Sequence, residues 1–379
     1  MAYAILLLLG VLDAAGYSVI APVVPAIGRA TGAGPGVLGP LVATFALGMA
    51  VGFVVAGRWL QRHGAVAVLA GSLAAIALGT LGFVAGDGLP VYFAARLLMG
   101  LGSGGLWIGT VFAILERWPG EEYRRMTGLL AVYSVGGVAG PAFGAVGGVR
   151  GPFAAYLGLV AVCAASVAVL ERPRERATFE SDRAALREPG YWLASAAVLL
   201  VALSMGTFDG PLPVHFAEGL SQAQIAGLYV ATSVLVGTSA WFGGRLRPRP
   251  LVAVASVVMV VGVGLAGIGT EVAVWLVAAA LVGVGLGLGE AGATGVFLQA
   301  IGTDRIVLAM VVWSQVWALG YLAGPAAGGA VAEALGFGAI GLVPLAASLL
   351  VAAAFARTAR EPRARPAGSP AAPGGREAA

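Results

Sequence analysis

Twelve apolar runs, each as long as a bilayer is thick, constrain this chain more than anything else in it. A hydrocarbon core about 30 Å thick needs roughly 20 helical residues at 1.5 Å each. The runs fall at 3–24, 37–57, 65–86, 90–115, 126–148, 152–170, 190–213, 224–243, 250–270, 273–299, 306–331 and 337–356. They are too long for barrel strands and do not alternate apolar with polar residues, which excludes an outer-membrane barrel. Only 11% of the 379 residues are charged, against about a quarter in soluble domains. Neither a water-exposed globular surface nor a soluble enzyme on a single anchor can be built from that. The expected fold class is an all-α integral membrane protein with twelve transmembrane helices.

All 22 basic residues are arginine. With the N-terminus in the cytoplasm, nineteen arginines lie on the cytoplasmic side, Arg29 and Arg150 lie outside, and Arg96 lies within a span. The positive-inside rule therefore expects both termini in the cytoplasm and a multi-pass protein of the cytoplasmic (inner) membrane. Met1 to Gly10 carries no basic residue and Asp13 interrupts the first run, so that run reads as a retained helix rather than a cleaved signal. The longest polar connection divides the spans six and six. This gives an N-terminal bundle over 1–170, a cytoplasmic linker over 171–189, a C-terminal bundle over 190–357 and a tail over 358–379 whose Pro, Ala, Gly and Arg content predicts disorder. Trp59, Trp118, Trp192, Trp241 and Trp275 lie near span ends and read as headgroup anchors.

Several functions fall away on composition. A chain without lysine has no Walker-type phosphate loop, so it is not an ATP-driven pump by itself. The lone cysteine, Cys163, supplies neither a disulfide nor a cysteine metal site. A net charge of +4 without a basic face does not suit a nucleic-acid partner. No cofactor or metal site is expected, and no Ser, His and Asp cluster recurs at midplane depth to suggest an enzyme. The expected partners are the lipid bilayer, a small-molecule substrate and protons, with the chain working as a monomer.

The two halves repeat each other. Gly136, Gly140, Pro141 and Gly144 in the fifth span recur 184 residues later in the eleventh as Gly320, Gly324, Pro325 and Gly328, and the aromatic Tyr133 recurs as Trp317. Gly100-Leu-Gly102 and Val111-Phe112 recur at an offset of 185. Two six-helix halves with parallel-repeat character mark a transporter built around a midplane cavity. Glycines four residues apart share one helix face and admit close packing, while a proline removes a backbone donor.

On these residues the chain resembles the major facilitator superfamily over 1–357. Gly57, Arg58, Gln61, Arg62 and Gly64, between spans two and three, are similar to the family's G-x-x-x-D-R-x-G loop, with Gln61 in place of the aspartate. Arg96 with Gly100 is similar to the fourth-span R-x-x-x-G element. The G-x-x-x-G-P-x-x-G pattern of span five, and Gly16 followed by Pro22 and Pro25, resemble elements of the twelve-span drug/proton antiporter branch. The resemblance implies two pseudo-symmetric six-helix bundles and a central cavity lined by spans one, four, seven and ten. It implies that the Gly57–Gly64 loop latches the cytoplasmic side, a role that Gln61 weakens, and that the Gly-Pro bends help to choose between states.

Four ionisable residues fall within spans, where a charge at a helix centre costs about 2.5–3.5 kcal/mol on insertion scales: Asp13, Arg96, Asp209 and Glu290. They are the candidates for proton coupling. Asp13 and Arg96 are expected to pair across the N-terminal half, with Asp13 holding a proton or a cation as the pair separates. Asp209, just before Gly210-Pro211, reads most simply as a helix-end residue. Ser103 and Trp107 share the helical face of Arg96, and Tyr17 and Phe297 lie one and two turns beyond Asp13 and Glu290. With Trp313 and Trp317 these residues are the candidate substrate wall.

The reading that follows is a secondary active transporter that exports a hydrophobic or amphipathic, drug-like compound in exchange for protons. A metabolite or sugar symporter would want amide side chains in the cavity, yet the chain has no asparagine, and only Gln299 and Gln315 are amides placed to reach one. A membrane sensor or assembly partner that transports nothing is the reading that Gln61 keeps open.

Overall fold

The computed structural model describes residues 1–171, 186–301 and 306–360. Linker residues Arg172, Arg174, Arg176 and Arg183, together with Arg305 and the tail from 361, lie outside them. The described residues form helices joined by short turns, with no strand among them, and the expectation of an all-α membrane fold holds. In chain order the helices are α1 (Ala2–Ser18), α2 (Val24–Thr31), α3 (Pro35–His63), α4 (Ala65–Ala85), α5 (Leu89–Arg117), α6 (Glu122–Gly144), α7 (Arg150–Ala168), α8 (Pro189–Asp209), α9 (Leu212–Phe216), α10 (Gln222–Gly243), α11 (Pro248–Ile268), α12 (Val272–Ile301), α13 (Ile306–Leu335) and α14 (Leu342–Arg360). Eleven segments are long and apolar enough to cross a membrane, and the thirty-residue α13 takes the remaining place.

The first and seventh spans each comprise two helices rather than one. Pro22 and Pro25 lack the backbone donors that a continuous helix needs, so α1 ends at Ser18, a 3₁₀ turn covers Ala21–Val23, and α2 completes the crossing. Gly210-Pro211 separates α8 from α9 in the same way.

Two apolar cores form. One gathers α1 to α7 around Leu6, Leu9, Phe45, Phe83 and Phe153, with the Phe83 and Phe153 rings stacked at 4.0 Å. The other gathers α8 to α14 around Leu200, Phe208, Phe216, Val263 and Val282. Large apolar residues such as Leu78, Val162, Val257 and Leu349 are exposed on the outer faces, where lipid rather than water is their solvent.

The repeated glycines sit at the seams. A Cβ on Gly140 would lie 2.6 Å from the Ala15 carbonyl oxygen of α1, and one on Gly320 would lie 2.6 Å from the Leu199 oxygen of α8. Thus α6 lies on α1 and α13 on α8 in matching fashion, as the repeat predicts. Between the cores, α13 meets α3, where a Cβ on Gly329 would lie 2.5 Å from the Pro35 oxygen. On the other flank Ser233 Oγ of α10 donates to the Gly137 carbonyl of α6 at 2.8 Å.

Short connections make successive spans antiparallel, so one end of the molecule carries both termini. At that end Tyr3 donates to the Arg125 carbonyl at 2.9 Å, and the Arg125 guanidinium lies over the Tyr3 ring at 4.5 Å. Arg124 and Arg125 donate to Glu121 and hold its carboxyl below the usual carboxylate range. Trp59, Trp192 and Trp241 are exposed, consistent with anchoring. Trp275 is not an anchor: it is 2% exposed, and its indole donates to the Gly269 carbonyl at 2.8 Å, closing the end of α11 from within the bundle.

Candidate functional site

The break after Ser18 creates the site. A helix leaves its last four carbonyls without intrahelical donors, and here Val19 N–H takes only that of Ala15. Arg96 of α5 supplies the next two donors: Nη1 to the Gly16 carbonyl and Nη2 to the Tyr17 carbonyl, both at 3.0 Å. Its guanidinium also lies over the Phe45 ring at 4.3 Å and is fully buried. The expected Asp13–Arg96 pair is therefore absent from this state: the broken helix end takes one N–H from each terminal nitrogen, and the buried Nε meets no hydrogen-bond partner among the described residues.

Asp13 is held by neutral donors instead. Ser103 Oγ donates to Oδ1 and the Tyr133 hydroxyl to Oδ2, each at 2.5 Å. Trp107 meets the Tyr133 ring edge-on at 5.5 Å, so Ser103 and Trp107 of one α5 face do converge on Asp13. The hydroxyl partners neutralise no charge, so a carboxylate here still bears the cost of burial.

Asp209 does sit at a helix end, but it is buried and bonded rather than merely terminal. It closes α8, is 5% exposed, and accepts a hydrogen bond from the Tyr321 hydroxyl at 3.0 Å. Tyr321 stacks on Trp317 at 5.2 Å, and Tyr17 meets both rings at 6.1 Å, so three aromatic residues bridge the bundles. Glu290, half-buried on α12, makes no hydrogen bond or ion pair among the described residues.

Two expected wall residues sit elsewhere. Phe297 is 1% exposed and packs between Tyr191 at 6.1 Å and Trp313 at 5.1 Å, inside the C-terminal core rather than on a cavity face. Trp313, partly buried, points its indole N–H at the Ala194 carbonyl, 3.4 Å away. Tyr321 is the residue that reading the sequence missed. Its neighbour Trp317 corresponds by repeat to Tyr133, the partner of Asp13, which was the available signal.

A profile of the Major Facilitator Superfamily matches residues 6–270. The chain belongs to that superfamily. It is 25% identical over 186 residues to the "Uncharacterized MFS-type transporter YfiU" of Bacillus subtilis (strain 168), a match spanning 46% of the chain and only 34% of the relative. The fold is shared with solved transporters at 14% identity. One is the xylose transporter XylE from E. coli in a partially occluded inward-open conformation, at TM-score 0.70, covering 93% of this chain and 96% of that one. Another is a bacterial homolog of the human lysosomal transporter Spinster, inward-facing and unoccupied, at TM-score 0.69, covering 94% and 95%.

In this superfamily member the loop motif is mostly solvent-facing: Arg58, Gln61 and Arg62 are exposed, and a Cβ on Gly57 would touch nothing within 4 Å. Gly64 alone has a backbone need, since φ +80° joins α3 to α4. Pro22 packs against Gly144, joining the span-one element to the span-five motif. Arg96→Ala is expected to lower the detergent-solubilised thermal midpoint, because it strips two buried carbonyls of donors at about 1–3 kcal/mol each. An unchanged midpoint would exclude the capping role.

Proposed function

We propose that this transporter exports a hydrophobic or amphipathic organic compound in exchange for protons, with its termini in the cytoplasm. The protein is a membrane transporter working by alternating access between two bundles. The observation that carries the finer reading is the aromatic bridge between the bundles: Tyr17 meets Trp317 and Tyr321, Tyr321 donates to Asp209, and Arg96 donates to backbone carbonyls. Glu290, with no hydrogen bond or ion pair among the described residues, can meet a proton or a positively charged group, and aromatic faces attract both apolar bodies and cations. Asp13, bound only by hydroxyls, can take up a proton without losing an ionic partner.

The lack of amides supports an apolar substrate over a sugar. Gln315 is spent on the Ala50 carbonyl between the bundles at 3.4 Å, and Gln299 is exposed on α12. One elementary charge crossing 100 mV supplies roughly 2.3 kcal/mol, enough to sustain about a fifty-fold gradient.

A thermal-shift series on the purified protein tests the substrate class. Tetraphenylphosphonium and neutral aromatic amphiphiles are expected to raise the midpoint, while xylose leaves it unchanged; saturating at 100 times Kd is worth about 2.7 kcal/mol. Stabilisation by monosaccharides alone would overturn the reading. Trp317→Ala should weaken the aromatic response by about 1–2 kcal/mol in binding.

A further inference from the structure

At the end of the molecule opposite the termini, two polar contacts tie one bundle to the other. Glu333, near the end of α13, reaches across to the start of α3, where its Oε2 accepts the Gly36 N–H at 3.2 Å. The α3 cap residue is Gly34, which has no side chain to serve the orphan amides of the first turn. The carboxylate from the opposite bundle serves one instead and sits at the positive end of the helix dipole. On the other flank Gln222, the first residue of α10, reaches the turn between α6 and α7. Its Nε2 donates to the Gly144 carbonyl at 3.1 Å and the Gly148 carbonyl at 2.9 Å, while its Oε1 accepts the Gly148 N–H at 2.9 Å.

These contacts are related by the internal repeat. An offset of 185 carries Gly36 to Ser221, adjacent to Gln222, and Gly148 to Glu333. Each therefore joins a helix start in one bundle to the end of the long span that packs against it in the other. The chemistry differs, with a carboxylate on one side and an amide on the other. Beneath the first contact α3 and α13 lie backbone to backbone at Gly39, Pro325 and Gly329, so nothing passes there until the bundles part.

We infer that Glu333 and Gln222 form a two-point clasp that holds this end of the transport path shut, and that together they set how often it opens. Glu333 caps α3 only while the bundles are together, and the three Gln222 hydrogen bonds break as a set when they separate. The clasp does not depend on the substrate or the coupling ion. Its failure would leave the proposed export of aromatic compounds untouched, and failure of that proposal would leave the clasp intact.

The test uses Met205, partly buried and packed against both cores near this end of α8. In sealed vesicles carrying the full-length protein with Cys163→Ser and Met205→Cys, a membrane-impermeant maleimide is applied at the face opposite a C-terminal tag. Adding Glu333→Ala and Gln222→Ala together is expected to speed labelling about tenfold, with each alone, and Glu333→Gln, giving a smaller increase. Unchanged labelling in the double variant, with the protein eluting as a single folded species, overturns the clasp. A second arm needs no loss of contact. A Cβ on Gly36 would lie 3.3 Å from the Glu333 Cβ, close to the range that a disulfide spans. Gly36→Cys with Glu333→Cys in the reporter chain should cross-link on oxidation and reduce far-side labelling at position 205, read on its own peptide, to background, and labelling at that position should recover on reduction. Failure to cross-link, or labelling that continues through the cross-link, overturns it as well.

Discussion

Glu290→Gln will abolish export driven by a pH gradient, reducing it by at least about tenfold, or roughly 1.4 kcal/mol of lost coupling, while leaving the protein as stable as before or more so. The two halves of that expectation share one cause. Glu290 has no hydrogen-bond or ionic partner among the described residues, so glutamine breaks no contact and removes only a charge that is costly within the membrane. A structural carboxylate behaves in the opposite way, since removing one member of a bound pair destabilises the remainder.

Asp13→Asn is the companion experiment. Ser103 and Tyr133 both donate to the carboxylate, and an amide offers only one acceptor oxygen, so a modest loss of thermal stability accompanies the loss of drive. Both variants should still equilibrate substrate down its own gradient, because alternating access itself does not need the charge. Efflux against a gradient at the wild-type rate in both would remove these residues from the coupling mechanism.

The second large effect lies in the glycine seams. Gly324→Leu and Gly140→Leu should each leave protein in the membrane but stop transport, because there is no room for any side chain. A Cβ on Gly324 would run into the Leu203 carbonyl and lie 3.0 Å from the Thr207 amide nitrogen, and one on Gly140 would lie 2.9 Å from the Val19 nitrogen. The obstructing atoms are backbone, which cannot turn aside, so even alanine should lower the thermal midpoint and the flux. Gly57→Ala is the control. Although Gly57 belongs to the loop motif, a Cβ there meets nothing within 4 Å, and transport should be nearly unaffected. Normal flux in Gly324→Leu would mean that the α8–α13 seam is not part of the moving machinery.

How far these sites could be read from residue order varies from place to place. The existence and order of the spans were legible, since length and apolarity alone decide which segments a bilayer accepts, but the first and second run on to Thr31 and His63, past the expected ends at 24 and 57. The glycine seams were legible because they recur at one offset and a four-residue step fixes a helix face. Arg96 was legible as an unusual charge, but its partners were not. The opposite charge of Asp13 suggested a pair, whereas the break of α1 around Pro22 and Pro25 exposed two carbonyls that took its donors. Phe297 and Trp275 were misplaced for a related reason. Membrane helices are apolar on nearly every face, so periodicity does not say which face meets lipid, cavity or core.

The sequence by itself determined that this chain crosses the membrane as two repeated sets of helices, that it carries no Walker-type phosphate loop, and that four ionisable side chains within spans need explaining. Those conclusions rest on local quantities: run length, charge placement and repeat offset. Only the tertiary structure decided what each of the four does with its charge. Arg96 caps a broken helix, Asp13 rests on two hydroxyls, Asp209 meets a tyrosine at the bundle interface, and Glu290 has no hydrogen bond or ion pair among the described residues. Each partner of the first three comes from another helix, 79 to 120 residues away in the chain. A residue's own segment fixes which way it faces but not what the fold brings to meet it.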